Sequence, residues 1–295
     1  PAYTNVIAIL MTLGYAFFIF RNFPAYALRT KIIIAFILIT IVPLGILSVI
    51  NSAYTTQAIQ TQSEAELSRL AAVAAESVEN FIRNQLDNVS TDSKQTPFLD
   101  YLEEPAYLDD EKNASRALIA LTRKNPIFIR SAAILNPNGV NVLDTLESNK
   151  GRDESLFLYF NRPMKNGLPF VSNIIFRGNT PSIYFSAPIK NVNGKTIGVL
   201  RVEYHAAIFQ SAIQRLAQEN PAASVALVDI TTYLRIADSG SRENLFKTYK
   251  NFTEDELVAM QSDGRLPLDP LRGVSEQVVN GVNNLAQEPI FYLYS

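Results

Sequence analysis

The chain has 295 residues, of which 47% are hydrophobic and only 18% charged, with a formal net charge of −2. That balance leaves no basic surface for nucleic acid, and the lack of cysteine excludes disulfides, thiolate metal sites and cysteine catalysis. The single histidine, His205, leaves zinc sites and Ser-His-Asp chemistry almost no material.

The apolar excess is concentrated at the start. Residues 32–50, IIIAFILITIVPLGILSVI, contain no charge, and a span needs about 20 apolar residues to cross a hydrocarbon core of roughly 30 Å. Pro43 and Gly45 lie inside this stretch, where lipid tolerates both. A second uncharged stretch, Val6–Phe20, predicts another span over residues 3–20. Between the two, residues 21–31 hold Arg21, Arg29 and Lys31 and no acid, so the positive-inside rule makes that loop cytoplasmic. The reading is a multi-pass anchor, in contact with membrane lipid, with everything after residue 50 facing outward. Pro1 at the start and Tyr294-Ser295 at the end read as the cut ends of a longer protein.

From residue 51 to about 96 the pattern predicts a long stalk helix. Leu67, Ala71, Ala74, Val78 and Phe81 form one apolar stripe at heptad spacing. A stripe of this kind packs against its own domain or against a second copy. Pro97 and Pro105 end the region, residues 109–112 read as a charged turn, and 115–124 as a short amphipathic helix. Two hairpins follow, the first turning at Asn136-Pro137-Asn138-Gly139 and the second at Asn193-Gly194. In the second, Ile183, Phe185, Ala187 and Ile189 share one face of the strand, with Tyr184 and Ser186 on the other. A short helix lies between the hairpins, and residues 206–218 read as a closing helix. The order describes an α+β fold with an antiparallel sheet over residues 97–220. A new strand pattern, SVALVDITTYLRIADS, then opens a second, incomplete module over 221–295. Within it Thr253 and Glu256 have capping-box spacing.

The segments ILNPNGVNVLDT, GRDESLFLYFNRPMKNGLPFVSN and IYFSAPIKNVNGKTIGVLRVEY, in this order behind a long helix, resemble the extracellular double Cache sensor domains of bacterial receptors. The resemblance implies PAS-like modules, a membrane-distal one that binds a small molecule and a membrane-proximal one. It also implies a location in the bacterial inner membrane and a small displacement passed to a cytoplasmic output such as a kinase, a chemotaxis transducer or a nucleotide cyclase.

In amino-acid-binding members of that family an Arg in the short helix grips the ligand carboxylate and a later Asp holds the amino group. Here Phe157 stands at the Arg position, Tyr159 and Phe160 form the aromatic pair, and Glu203 falls at the Asp position. The missing clamp counts against an α-amino acid unless Arg152, Arg162 or Arg177 supplies the charge. The candidate ligand residues are therefore Tyr159, Phe160, Phe176, Tyr184 and Glu203. Aromatic walls with one carboxylate suit an amine or a quaternary ammonium; a mostly apolar molecule, or no ligand, is also compatible with them.

No nucleotide-binding, metalloprotease or nucleophile-elbow motif occurs. The residues name no catalytic group, metal ligand or cofactor. The leading reading is the sensory input region of a receptor. The regulatory part of a membrane-bound enzyme and an anchored adhesion module stay open beside it, as does a homodimer through the stalk helix.

Overall fold

The computed structural model describes residues 21–103, 108–219, 224–240, 245–248 and 252–268. The chain divides into two compact units, Pro1–Glu66 and Leu67–Ser295. The expected span over residues 3–20 lies outside the described residues. In the first unit a short 3-10 turn, Phe23–Ala25, is followed by the start of α1, Leu28–Asp92. Its uncharged window is long and apolar enough to cross a membrane, and none of it is buried by protein. Pro43 lies inside the helix.

The second unit holds the remaining elements. The apolar face of α1 packs on this unit's own core, through Leu70, Ala74, Val78 and Val89. The expected stripe packs inward at Ala74, Val78 and Phe81, the last edge-on to Phe185, Tyr204 and Phe209; its first member departs, Leu67 being 52% exposed while Leu70 is buried. Contacts recur at Leu70, Ala74, Val78, Phe81 and Ile82, the mixed three- and four-residue steps that keep one face of a 3.6-residue helix inward. After α1 come α2 (Thr96–Glu103) and α3 (Leu108–Lys124). Both correct the sequence reading. Pro97 does not end structure but sits in the first turn of α2, where a missing N–H costs nothing. Asp109, Asp110 and Glu111 are not a loop; they form the first turn of α3, with Arg123 and Lys124 in its last, charges that complement the helix dipole.

The sheet has six antiparallel strands: β1 (Ile129–Leu135), β2 (Asn141–Asp144), β3 (Phe170–Val171), β4 (Ile175–Arg177), β5 (Thr180–Lys190) and β6 (Thr196–His205). Their order is β2-β1-β6-β5-β3, with β4 also pairing β5. Both expected hairpins form. The first turns at Gly139 (φ +84°) and the second at Gly194 (φ +76°). Between them lies α4 (Leu158–Asn166), and α5 (Ala207–Glu219) follows the sheet.

The two faces of the central strands diverge in chemistry. Ile183, Phe185, Ala187 and Ile189 of β5 join Leu200, Val202 and Tyr204 of β6 in the larger core, on which α1, α2 and α3 pack. The alternate residues turn to the other face, which α4 covers: there Tyr184 packs with Tyr159, Phe160, Leu135 and Val199. A two-stranded sheet of β7 (Ala226–Val228) and β8 (Arg235–Asp238) follows, then α6 (Glu254–Ser262). Thr253 and Glu256 complete the expected capping box on α6.

Candidate ligand-binding site

Period-two alternation puts Arg201 and Glu203 of β6 on the face beneath α4, and register places Tyr184 opposite Glu203 and Ser186 opposite Arg201. On the other flank β1 sets Ser131 against Glu203 and Ala133 against Arg201, and β2 brings Asp144 beside Ala133. Polar side chains from four strands thus converge on one covered face.

Arg201 is the centre of it. Its side chain has no exposed surface, and burial alone would depress its basicity; the carboxylates of Glu154 and Asp144 more than offset this and hold it protonated. Nη2 donates to Asp144 Oδ2 at 2.7 Å and to Glu154 Oε1 at 3.3 Å, and Nε pairs with Glu154 Oε2 at 3.2 Å. Nη1 donates to Ser131 Oγ at 2.8 Å and lies 3.5 Å from Glu203 Oε2. The acids are tied in turn. Ser182 and Ser131 donate to Glu203 at 2.7 and 3.2 Å, Asn141 donates to both Asp144 and Glu154, and the Tyr159 hydroxyl donates to Glu154 at 2.9 Å.

An aromatic column lies against this network. Phe157 stacks on Tyr159 with centroids 5.0 Å apart, and Tyr159 stacks on Tyr184 at 4.6 Å. The Tyr184 ring also meets two guanidinium groups, Arg201 at 5.7 Å and Arg177 at 5.4 Å. Burial, with Glu203 adding to it, pushes the Tyr184 hydroxyl up to about 12, and burial with Glu154 raises Tyr159 as well. Both phenols are therefore neutral donors. The Tyr184 hydroxyl is enclosed and meets no partner at good hydrogen-bond geometry among the described residues; Ser182, which donates to Glu203, lies beside it.

Arg177, on β4, is different from Arg201. It keeps 28% of its side chain exposed, its fork forms no hydrogen bond among the described residues, and its ion partner, Glu154 Oε1, lies 3.9 Å away. Burial opposes its charge, but Tyr184, Tyr159 and Glu203 outweigh that and keep it protonated.

Of the five residues expected from the sequence, the structure brings Tyr159, Phe160, Tyr184 and Glu203 together. Phe176 is placed elsewhere: it lies in the larger core, edge-on to Phe246 at 5.5 Å. Arg152 and Arg162 are exposed, so only Arg177 of the three alternative arginines reaches the site. Sequence reasoning missed Arg201, Asp144, Glu154, Ser131 and Ser182. The signal for Arg201 was present in GVLRVEYH, where two charges alternate with apolar residues and so mark the second face of a strand.

The geometry fits what comparisons with known proteins find. The family model for the Cache domain (dCache_1) matches residues 55–287. The sensor domain of the V. cholerae histidine kinase DctB superposes with a TM-score of 0.56 at 16% identity, over 73% of this chain and 80% of that one. The sensory domain of the Campylobacter jejuni chemoreceptor Tlp3 gives 0.54 at 18% identity, over 72% and 84%. Its form with isoleucine bound gives 0.53 at 17%, over 71% and 82%. No curated protein matches the sequence. A six-stranded antiparallel sheet with an enclosed polar face, built on a long amino-terminal helix and matched by that family over most of its length, identifies this chain as a member of the Cache domain family.

Proposed function

We propose that this Cache sensor region binds a small zwitterion on the enclosed face of its sheet, with the ammonium group toward Glu203 and Glu154 and the carboxylate toward Arg177. The charge distribution carries the reading. Asp144, Glu154 and Glu203 face one fully enclosed cation, Arg201. The other two arginines, Arg177 at 3.9 Å from Glu154 and Arg130 at 3.8 Å from Glu203, are part-exposed and held at long range, so an ammonium group can take their place against Glu154 and Glu203. At the rim, the Arg177 fork has donors to spend, in the planar geometry that suits a carboxylate. The enclosed Tyr184 hydroxyl adds a donor between the two ends. Phe157 leaves the short helix without a clamp, and Arg177 takes over that role from the opposite wall. The Tlp3 form with isoleucine bound is an example of such a ligand in a related fold.

The cluster is closed: Tyr159, Tyr184 and Arg201 have no exposed surface. Binding therefore requires the cover at 153–166 to open, and re-closing on the ligand supplies the conformational change that a sensor needs. In the accompanying topology, residues 21–31 are cytoplasmic, two spans contact lipid, and the region after residue 50 is extracytoplasmic. Residues 51–96 serve as stalk, 97–220 as membrane-distal module, and 221–295 belong to the membrane-proximal one. A simple amine is the second reading, favoured by the same acidic excess if Arg177 plays no part.

A thermal-shift panel of L-amino acids and their decarboxylated amines decides between them. A ligand at a hundredfold over its dissociation constant adds about 2.7 kcal/mol. We expect stabilisation by an amino acid and not by its amine, and loss of that preference in Arg177→Gln. Stabilisation by the amine alone establishes the second reading. If no member of the panel binds, or if Glu203→Gln and Tyr159→Phe leave the affinity of a bound member unchanged, the site is misassigned.

A further inference from the structure

The strand that carries Arg177 is not held by its own sheet alone. β4 is three residues long and pairs β5 along one edge, Ile175 with Ser182 and Arg177 with Thr180. Its other edge is covered by the segment 264–268, which is 87 residues away from Arg177 in the chain and follows α6. The Phe176 N–H donates to the Gly264 carbonyl at 2.6 Å, and the Leu268 N–H donates to the Gly178 carbonyl at 3.2 Å. These bonds bracket Arg177 on both sides. Between them Leu266 is fully buried, and Phe246 meets the Phe176 ring edge-on at 5.5 Å.

The approach is close enough to demand glycine. Gly264 has φ +69°, and a Cβ there would lie 3.1 Å from the Phe176 carbonyl oxygen and 3.4 Å from Ile175 Cγ2. A three-residue strand with one free edge has few bonds to keep its order. The segment satisfies that edge, and it belongs to the part of the chain that carries β7, β8 and α6, not to the six-stranded sheet.

We infer that the segment 264–268 is a positioning strap for Arg177, so that ligand contact at Arg177 and the packing of the region after α5 are energetically coupled. The inference rests on the reading of Arg177 as a ligand contact for its functional meaning, but not for its structural part. Coupling of this kind is reciprocal: what tightens the strap tightens the grip at Arg177, and a ligand held at Arg177 protects the strap. It gives the site a short route to the carboxyl-terminal part of the chain, through main-chain bonds on both sides of one contact residue.

The test is hydrogen exchange with mass spectrometry on the whole chain in detergent, comparing wild type with Leu268→Pro, which deletes the N–H that donates to Gly178. Phe246→Leu, which removes the ring contact but no hydrogen bond, is the second variant. Without any ligand, we expect exchange at residues 175–178 to rise on the order of tenfold in Leu268→Pro, while β1 and β6 stay as in wild type. We expect phenylglyoxal to modify Arg177 several-fold faster in both variants. Unchanged exchange at 175–178 together with unchanged Arg177 modification overturns the strap. Adding L-isoleucine as the probe should protect the Leu268 amide in wild type and not in Arg177→Gln. Protection of β5 and β6 without protection of Leu268 overturns the coupling. If the probe protects nothing while the ligand-free arm behaves as expected, the strap stands and the amino-acid reading of the site falls.

Discussion

Arg201 shows why an enclosed charge is informative. A guanidinium with no exposed surface survives only because Asp144, Glu154 and Glu203 offset its desolvation and their own. Removing one partner strands the others. Glu154→Gln, which takes a charge from Arg201 and an acceptor from Tyr159, should cost about 3–5 kcal/mol in urea denaturation. Tyr184→Phe should behave oppositely. Its hydroxyl is buried and forms no hydrogen bond of good geometry among the described residues, so its removal should be neutral or stabilising by up to about 1 kcal/mol while weakening ligand binding. Only a hydroxyl kept for the ligand predicts both results together. Alkaline stability follows from the same burial. Tyr184 and Tyr204 are each raised to about 12, Tyr184 by burial and then Glu203, Tyr204 by burial and then Asp92. A folded-state value above the usual 10 means that the folded state holds its phenolic protons longer than the unfolded chain. The stabilisation is complete below pH 10 and is lost as pH rises toward 12. A urea series across that window should show the fall, and Tyr184→Phe should reduce it.

Among the elements, the hairpins were the most legible. Asn136-Pro-Asn-Gly and Asn-Gly turns between alternating runs form where expected, because the turn residues carry their own backbone preference. Gly139 is confined further: a Cβ on it would fall 2.5 Å from Ser155 Cα, in the loop that delivers Glu154 to Arg201. Gly139→Ala should therefore cost more than about 1 kcal/mol, combining left-handed strain with that overlap. The helices were less legible at their ends, since Pro97 and the acidic run at 109–111 read equally as turn or as first turn. The join from β6 to α5 has its own device. His205 Nδ1 accepts from the Ala207 N–H at 3.1 Å, so it must be the unprotonated nitrogen. Burial first, and Arg130 second, lower its pKa below the usual 6.5, against an opposing pull from Glu203. The stability from the neutral ring is present above pH 6.5 and lost as pH falls through the lower folded value. As the only histidine in the chain, it gives a single imidazole resonance. Its titration should have a midpoint below 6.5, and the amides that open α5 should exchange faster in acid.

For the whole molecule, the uncharged window of α1 and the Cache fold of the second unit together describe a membrane-anchored sensor. The window is long and apolar enough to cross a membrane, and no protein among the described residues covers it. Topology is directly testable because the chain has no cysteine to interfere. A membrane-impermeant maleimide should label Ser262→Cys in intact cells and should label Arg29→Cys only after permeabilisation. The reverse pattern would invert the proposed orientation.

By itself the sequence determined the membrane-length apolar window at 32–50, the long helix, the two hairpins and the face on which Tyr184 lies. Each of these follows from a local period or a local turn preference, and needs no knowledge of distant residues. The resemblance to Cache sensor domains also pointed to Tyr159, Phe160 and Glu203, which lie in one short helix and one hairpin. Only the tertiary structure decided the rest. Asp144 and Glu154 come from a loop and a strand end that carry no periodic signal, and they meet Arg201 because strand register and the cover at 153–166 bring them there. Phe176 left the expected site because alternation along β4 turns it to the face opposite Ile175 and Arg177, where it joins the larger core and meets Phe246. Charge pairing between residues 47 and 57 positions apart is a property of the packed sheet, and no local rule encodes it.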